Sequence, residues 1–195
     1  MTGEYIAPSI KVITNLIDYS DRMIEIAKSA PDSAWRDSGF GDQFKYDNSV
    51  RRSKEISIPY SLDKPKIFFE FAQAIHSAAK SYAMENNFTF SHMEEINILE
   101  YQESEGFFDI HSDSGPAFPR SMSALLYLND VEDGGETWFD KFGLMVKPEK
   151  GKLVLFPANY AYTHQALPPK TGKKYVAVTW FGQTLDRGIF EEYYP

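Results

Sequence analysis

Three side chains in the second half of the chain could hold one metal ion. His111 and Asp113 flank a single residue, and alternate residues of an extended segment point to the same side, so an imidazole and a carboxylate could reach one ion. His164 would supply the third ligand. Two neutral imidazoles and one carboxylate on one face of an octahedron, with the other positions open, are typical of non-haem Fe(II) oxygenases. Because a His-x-Asp pair alone is weak evidence, the elements that position these residues must support the interpretation.

The composition restricts the kinds of protein and of metal site. The chain has 195 residues, of which 43% are hydrophobic and 15% aromatic, and we expect one domain over residues 1–195 with a β-rich core. It has no cysteine, which excludes thiolate ligands and disulfides. The metal site must therefore use nitrogen and oxygen ligands.

The charge and the hydropathy pattern bear on partners and location. A formal net charge of −8 disfavours nucleic-acid binding, which relies on clustered lysine and arginine. No stretch approaches the roughly 18 apolar residues of a membrane span, and the N-terminus shows no signal-peptide pattern. We expect a soluble, cytoplasmic protein that binds neither nucleic acid nor membranes.

Two amphipathic helices are predicted in the first half of the chain. Apolar residues at helical spacing place the first over Asn15–Ala30, and the second runs from its N-cap Asp63 to a turn at Asn86 and Asn87. The two remaining histidines, His76 in the second helix and His92 in a polar turn, are not expected to bind metal.

The segment Trp35–Tyr60 between the helices is polar and contains glycine and a charged run. Its composition indicates a loop or an irregular pair of short strands. Loops on a rigid scaffold often carry recognition, so this segment is the candidate substrate lid. A solvated connection without a function is equally compatible with the sequence.

From residue 94 onward the pattern changes to short strand-like runs separated by turns. The predicted strands are Ile96–Tyr101, Ser121–Leu128, Gly135–Phe139, Gly143–Val146, Lys152–Phe156, Thr163–Ala166 and Tyr175–Phe181. Many short strands without helical periodicity favour a sandwich or barrel. We predict a mainly β fold with N-terminal helices (α+β). The predicted catalytic core is a double-stranded β-helix, or jelly roll, over residues 94–182. Residues 1–93 form a helical and lid region, whose two helices pack against this core.

A series of motifs follows the same stretch in a fixed order. It consists of Tyr101, Gly106 and Phe108 before His111-Ser112-Asp113, then residues 120–129, Gly134-Gly135-Glu136-Thr137, His164, and Gly172-Lys173-Lys174-Tyr175 before Thr179-Trp180. This order resembles the Fe(II)- and 2-oxoglutarate-dependent dioxygenases, specifically the prolyl 4-hydroxylase-like branch. The succession is more specific than any single motif.

The resemblance implies roles for further residues. It implies that Fe(II) binds to the three ligands and that Lys174 pairs with the far carboxylate of 2-oxoglutarate, since a buried ammonium and a dianion each need a partner. Tyr127 would hydrogen-bond the same carboxylate, and Tyr101 resembles a second tyrosine of the cosubstrate pocket. A core position with the hydroxyl at the rim is the alternative for both tyrosines.

Four residues are candidates for contact with the substrate. Arg120 follows the metal motif and would contact substrate, or would form an ion pair with an acidic group at the edge of the domain. Arg51 and Arg52 resemble an arginine-containing segment that precedes the second helix in prolyl hydroxylases. Trp180 closes the last motif.

Two positions depart from the family pattern. Phe108 stands where relatives often have tyrosine, so a hydroxyl is missing there. Tyr175 stands where prolyl hydroxylases usually have tryptophan, which would keep an aromatic wall of the pocket but change its shape. Both departures concern the identity of the substrate more than the reaction. Because Asp113 is present, halogenation is not expected.

The resemblance implies hydroxylation of a C–H bond, most directly in peptidyl proline, with decarboxylation of 2-oxoglutarate to succinate and CO2 and with ascorbate as the reductant. The substrate would be a proline-containing protein or peptide. The first alternative is a hydroxylase of a free amino acid or another small metabolite. The second is a non-catalytic jelly-roll module that binds a ligand or another metal such as zinc or nickel.

Overall fold

Both predicted helices are present in the computed structural model, which describes residues 3–41, 44–58 and 66–183. Helix α1 spans Ile17–Ser29 and helix α2 spans Lys66–Glu85. The predicted N-cap Asp63 lies outside the described residues. Helix α2 ends at a turn in which Asn87 has a positive φ of 54°, a conformation that asparagine tolerates better than most residues. No helix in these ranges is long and apolar enough to cross a membrane.

The described residues contain fourteen strands. They are β1 (Glu4–Ala7), β2 (Ile10–Ile13), β3 (Arg36–Asp37), β4 (Arg51–Arg52), β5 (Lys54–Ile58), β6 (His92–Met93), β7 (Ile96–Tyr101), β8 (Phe107–His111), β9 (Arg120–Tyr127), β10 (Thr137–Phe139), β11 (Leu144–Val146), β12 (Leu153–Pro157), β13 (His164–Ala166) and β14 (Lys174–Gly182). All seven predicted strands are found, with ends shifted by at most two residues.

The strands form two antiparallel sheets. The larger has the order β1-β2-β12-β9-β14-β7-β5-β3, with β6 also paired to β14, and the smaller has the order β11-β10-β13-β8-β4. The predicted double-stranded β-helix with two supporting helices is confirmed. Strand β14 is buried along almost its whole length because one face meets the smaller sheet and the other meets the helices, which explains its continuous apolar run.

The larger sheet separates two apolar cores. On one face Ile98, Leu126 and Ala177 pack with Phe71 and Ile75 of α2. The other face looks toward the smaller sheet. There the side chains of Leu99, Tyr127 and Val176 meet Phe139 and Ala166. The space between the two sheets holds the side chains predicted to do chemistry.

Several strands of the structure were not predicted. The hairpin of β1 and β2 pairs with β12 at the edge of the larger sheet. Within Trp35–Tyr60, strand β5 pairs with β7 of the larger sheet and β4 pairs with β8 of the smaller one, so the option of short strands is the one found. Residues 59–60 lie outside the described residues. This segment therefore joins the edges of both sheets.

Candidate active site

The three predicted metal ligands lie together between the sheets. His111 ends β8 and His164 begins β13, and the two are paired residues of adjacent antiparallel strands. Asp113 follows β8 by two residues, and one ligand atom from each side chain lies within 4.8 Å of the others. The Asp113 carboxylate faces both rings, at 3.5 Å from Nε2 of His111 and 3.7 Å from Nε2 of His164.

Backbone carbonyl groups orient both imidazole rings. Nδ1 of His111 lies 2.8 Å from the carbonyl oxygen of Asp109, and Nδ1 of His164 lies 3.2 Å from that of Tyr162. A hydrogen on each Nδ1 satisfies these contacts and leaves the Nε2 lone pair free toward the centre of the cluster. Such a second contact fixes the tautomer that a metal ligand needs.

Asp113 and His164 have the protonation states that binding of a divalent ion requires. Burial alone would raise the pKa of Asp113, but the two imidazoles and the Ser123 hydroxyl that lie against the carboxylate outweigh it and hold the pKa below its usual value. Burial, reinforced by repulsion from His111, lowers the pKa of His164 to about 4. At neutral pH Asp113 is a carboxylate and His164 is neutral.

Ser123 is a contact of the site that sequence reasoning missed. Its hydroxyl donates to Asp113 Oδ2 at 2.5 Å. Ser123 lies on β9 four residues before Tyr127, so the two side chains share a face of the sheet. The alternation of side chains along a strand, applied in steps of two residues back from Tyr127, would have identified Ser123.

The ligands open onto an inner cavity that extends between the sheets to Lys174. This cavity is lined by the three ligands together with Tyr101, Ser123, Tyr127, Thr137 and Lys174, and by apolar side chains of both sheets. The Lys174 side chain is buried, its Nζ donates to the carbonyl oxygen of Gly135 at 2.9 Å, and it lies 4.3 Å from the centroid of the Tyr101 ring.

Within the described residues, no carboxylate forms an ion pair with Lys174. Burial lowers its pKa to about 7, and the attraction of Glu136 only partly opposes this. A buried ammonium without a counter-charge is unfavourable. An anion bound in the inner cavity would therefore restore the charged form of Lys174.

Tyr127 and Tyr101 are buried and line the inner cavity beside Lys174. The Tyr127 hydroxyl donates to Thr137 Oγ1 at 2.8 Å and lies 3.2 Å from the carbonyl oxygen of Val146. Burial raises the pKa of both phenols, so both stay protonated. A ligand carboxylate near Tyr127 would compete with Thr137 for its hydrogen.

An outer groove leads from the metal ligands to the surface. Five residues line both the inner cavity and the outer groove, namely Arg51, Phe108, His111, Asp113 and Trp180. The outer groove has a volume of about 1120 Å³. Its other walls include Phe40 and Phe44 of the lid segment and Phe118 beyond the metal motif.

Arg120 lines the outer groove, and its guanidinium is already occupied. Nε and Nη2 bind the Glu94 carboxylate at 2.7 and 2.5 Å, and Nη1 donates to the carbonyl oxygen of Asp113 at 3.2 Å. The guanidinium carbon lies 3.7 Å from the centroid of the Trp180 ring. The alternative of an ion pair with an acidic group is the arrangement found.

Arg52 and Tyr175 lie away from both spaces. The Arg52 side chain is half exposed, lies 3.9 Å from Glu105 and has its guanidinium carbon 6.0 Å from the centroid of the Phe107 ring. Tyr175 packs on the helical side of the larger sheet and its hydroxyl donates to Glu100 at 2.5 Å. The expectation that Tyr175 forms a wall of the pocket is wrong, because neighbouring strand residues point to opposite faces and Lys174 takes the inward one.

The buried Lys174 predicts how stability depends on pH. Its pKa is about 7 in the folded chain against an ordinary value of 10.5. Between these values the unfolded chain binds more protons, so the free energy of unfolding of the metal-free and ligand-free protein rises with pH. At pH 7 we expect Lys174→Met to be the more stable protein by a few kcal/mol.

Urea unfolding of both proteins from pH 7 to 10, at constant ionic strength and with a chelator, measures this difference. The advantage of Lys174→Met should shrink as the pH rises, because the free energy needed to deprotonate the wild-type lysine on folding falls as the pH approaches its ordinary pKa. The other titrating groups are common to the two proteins. A difference that did not vary with pH would contradict the assignment.

The sequence and the fold were compared with those of known proteins. Residues 96–182 match the model of the 2OG-Fe(II) oxygenase superfamily. Probable prolyl 4-hydroxylase 9 of Arabidopsis thaliana is 35% identical over 118 residues, which cover 46% of this chain and 41% of that protein. The chain thus spans less than half the length of this curated relative.

Two solved structures share the fold. One is a prolyl hydroxylase from Trichoplax adhaerens in complex with a hypoxia inducible factor oxygen degradation domain peptide fragment, with a TM-score of 0.75 and 17% identity over 93% of this chain and 86% of that one. The other is the 2OG complex of the viral collagen prolyl hydroxylase of Paramecium Bursaria Chlorella virus-1, with a TM-score of 0.68 and 18% identity over 91% of this chain and 98% of that one. The matched residues 96–182 contain the three ligands and Lys174, and in this stretch the chain resembles the 2OG-Fe(II) oxygenase superfamily, in its prolyl 4-hydroxylase-like branch.

Proposed function

We propose that this chain is an Fe(II)- and 2-oxoglutarate-dependent dioxygenase that hydroxylates a C–H bond of peptidyl proline. One observation carries the proposal. The same narrow cavity is lined by the cluster of two imidazoles and one carboxylate and, farther in, by a buried lysine that has no counter-charge. The cluster fits a ferrous ion because its ligands are nitrogen and oxygen and occupy one side of a shared centre. The lysine fits the far carboxylate of a dianion.

The proposed reaction assigns separate roles to the metal ligands and to the residues of the cosubstrate pocket. His111, Asp113 and His164 would hold Fe(II), which when bound supplies the redox chemistry that couples decarboxylation of 2-oxoglutarate to succinate and CO2 with hydroxylation of the substrate. Lys174 would hold the far carboxylate, and Tyr127 would direct its hydroxyl toward the same group.

The apolar walls of the inner cavity serve the same reaction. Leu99, Phe156, Val176 and Val178 line it and limit the entry of water, which strengthens the attraction between Lys174 and an anion. Asp113 remains a carboxylate because its pKa lies below its usual value, and the Ser123 hydroxyl donates a hydrogen bond to it. The side chains of the protein would thus position the cosubstrate and balance its charge, and the bound metal would supply the oxidation chemistry.

The outer groove favours a peptide over a free amino acid. Its volume of about 1120 Å³ exceeds that of pockets for one small ligand. A free amino acid needs a cation for its carboxylate, but the arginines of the groove already bind protein groups: Arg36 pairs with Glu55 at 2.9 Å and Arg120 with Glu94 at 2.5 Å. An internal residue of a peptide brings no such charge.

The comparisons support the choice of proline. The Arabidopsis relative is a probable prolyl 4-hydroxylase, and the Trichoplax protein is a prolyl hydroxylase that was solved with a peptide. We propose ascorbate as the reductant that keeps the iron ferrous, and a cytoplasmic location stays a prediction. A non-catalytic module is disfavoured because the three ligands and Lys174 are all present.

The proposal predicts succinate production that depends on a peptide. The full chain is incubated with Fe(II), ascorbate, 2-oxoglutarate and proline-rich peptides, and succinate is measured together with the mass of the peptide. We expect succinate and a mass gain of one oxygen atom in equal amounts. Free proline is the matched competitor and should not reduce turnover, because the described arginines of the groove are already paired and leave no cation for its carboxylate.

Other outcomes would decide between the alternatives. Turnover of free proline in place of the peptide would favour the small-metabolite hydroxylase. Absence of succinate with every substrate, in protein shown to contain Fe(II), would contradict the enzymatic proposal and favour a binding module.

A further inference from the structure

The two histidine ligands are held in different ways. The His164 side chain is 7% exposed and its ring contacts Phe139 and Phe156, with centroid distances of 5.6 and 4.9 Å. The His111 side chain is 18% exposed and lies at the mouth of the outer groove. Its ring is stacked on Phe108, with centroids 3.6 Å apart and planes inclined by 19°. The orientation of His111 therefore depends strongly on Phe108.

Phe108 in turn packs on an arginine that is mostly shielded from solvent. Arg51 of β4 is the paired residue of Phe108 in β8, so both side chains lie on the same face of the smaller sheet. The guanidinium carbon of Arg51 lies 4.5 Å from the centroid of the Phe108 ring. Attraction between a guanidinium and an aromatic face adds to this packing. We call this series of contacts the Arg51–Phe108–His111 stack.

Protein groups fix the guanidinium at the end of the stack. Arg51 Nε donates to Ser53 Oγ at 3.0 Å, Nη1 donates to the carbonyl oxygen of Gly39 at 2.6 Å, and Nη2 lies 4.0 Å from the Glu55 carboxylate. The side chain is 9% exposed. Because the bonded donors of a guanidinium lie in one plane, these contacts set the orientation of the plane that meets Phe108. Gly39 belongs to the lid segment.

We propose that Arg51 is a positioning residue of the metal site, which holds the His111 ring through Phe108 and connects the lid segment at Gly39 to the strand that carries this ligand. The inference rests on the metal site of the proposed function. The missing hydroxyl of Phe108 is consistent with it, since a phenylalanine contributes only its ring faces, and one of them covers His111. Arg51 acts on the ligand without touching it.

The affinity for a divalent ion tests the proposal without turnover. Co(II) is titrated into the full chain in competition with a chelator, with no 2-oxoglutarate or peptide, for the wild type, Arg51→Met and Arg52→Met. We expect Arg51→Met to weaken binding about tenfold, the lower range for a residue that supports a metal ligand. The visible spectrum of bound Co(II) should also shift, since it reports the geometry of the ligands.

Arg52→Met is the matched control. Arg52 is the next residue of the same strand, but its side chain is half exposed and contacts Glu105 and the ring of Phe107 and not that of Phe108, so the affinity and spectrum of Arg52→Met should equal those of the wild type. Arg51→Lys retains the charge without the planar fork, and it should behave like Arg51→Met. Wild-type affinity in Arg51→Lys would show that charge alone matters and would overturn the proposal. This variant also decides the question if Arg51→Met does not fold.

A double mutant tests the route through the ring. In a Phe108→Leu background the effect of Arg51→Met should fall below about twofold, because the intermediate ring is gone. An equal loss in both backgrounds would overturn the proposal. A wild type that binds no Co(II) would overturn the proposed function together with this inference. A wild type that binds Co(II), with Arg51→Met unchanged, would overturn this inference alone.

Discussion

Replacement of Asp113 by alanine should abolish turnover and weaken Co(II) binding by at least about 100-fold. Asp113 is the only anionic side chain of the three-ligand cluster, and its two oxygens face both imidazole Nε2 atoms. Without the carboxylate, a divalent ion would be held by two neutral ligands, and the two rings would lose the group that lies between them. Residues that support a metal ligand typically change metal affinity by about 10- to 100-fold. We expect a larger loss of Co(II) affinity here because a ligand itself is removed.

The matched control is Asp109→Asn on the same strand. The Asp109 side chain is exposed and hydrogen-bonds its own neighbour Ile110, whereas the contact with Nδ1 of His111 comes from the Asp109 backbone and survives the substitution. Co(II) affinity and succinate production should therefore be unchanged. Asp113→Asn, which keeps the shape of the side chain, separates loss of the charge from loss of the fold. Wild-type metal affinity in both Asp113 variants would contradict the assignment of the site.

Strand β14 shows what the sequence could predict. Its run of apolar residues predicted the strand, and the place of Lys174 in the family motif predicted that this residue faces the cosubstrate. The alternation of side chains along a strand then requires Tyr175 to face the helices, as it does. The expectation of an aromatic wall at Tyr175 failed because the two neighbours were considered separately.

Short strands and ion pairs show what the sequence could not predict. Strand β4 has two residues, Arg51 and Arg52, too few for any periodicity, and it forms because β8 offers it a partner. The partner of Arg120 was left open among the 28 acidic residues of the chain. Only the pairing of β14 with both β7 and β9 brings Glu94 within 2.5 Å of Arg120. Contacts between distant segments decided both features.

Replacement of Lys174 by methionine should weaken 2-oxoglutarate binding by roughly 100-fold or more while Co(II) affinity stays that of the wild type. Removal of one member of a buried charge pair costs about 2–5 kcal/mol, and methionine keeps the length and apolar surface of the lysine chain. The metal ligands surround the other part of the inner cavity, and the lysine donates a hydrogen bond to the carbonyl oxygen of Gly135. Calorimetric titration of 2-oxoglutarate into the Co(II)-loaded chain measures the effect.

Lys173→Met is the matched control, because Lys173 is the preceding residue, is 47% exposed and pairs with Glu100 at 3.3 Å outside the cavity. Its 2-oxoglutarate affinity should be unchanged. The stability measurement removes a further ambiguity, since Lys174→Met is expected to be more stable than the wild type at pH 7 when free of ligands, so weaker binding cannot be attributed to unfolding. If Lys174→Met bound 2-oxoglutarate as tightly as the wild type, the anion would lie elsewhere, and the buried lysine would need another partner.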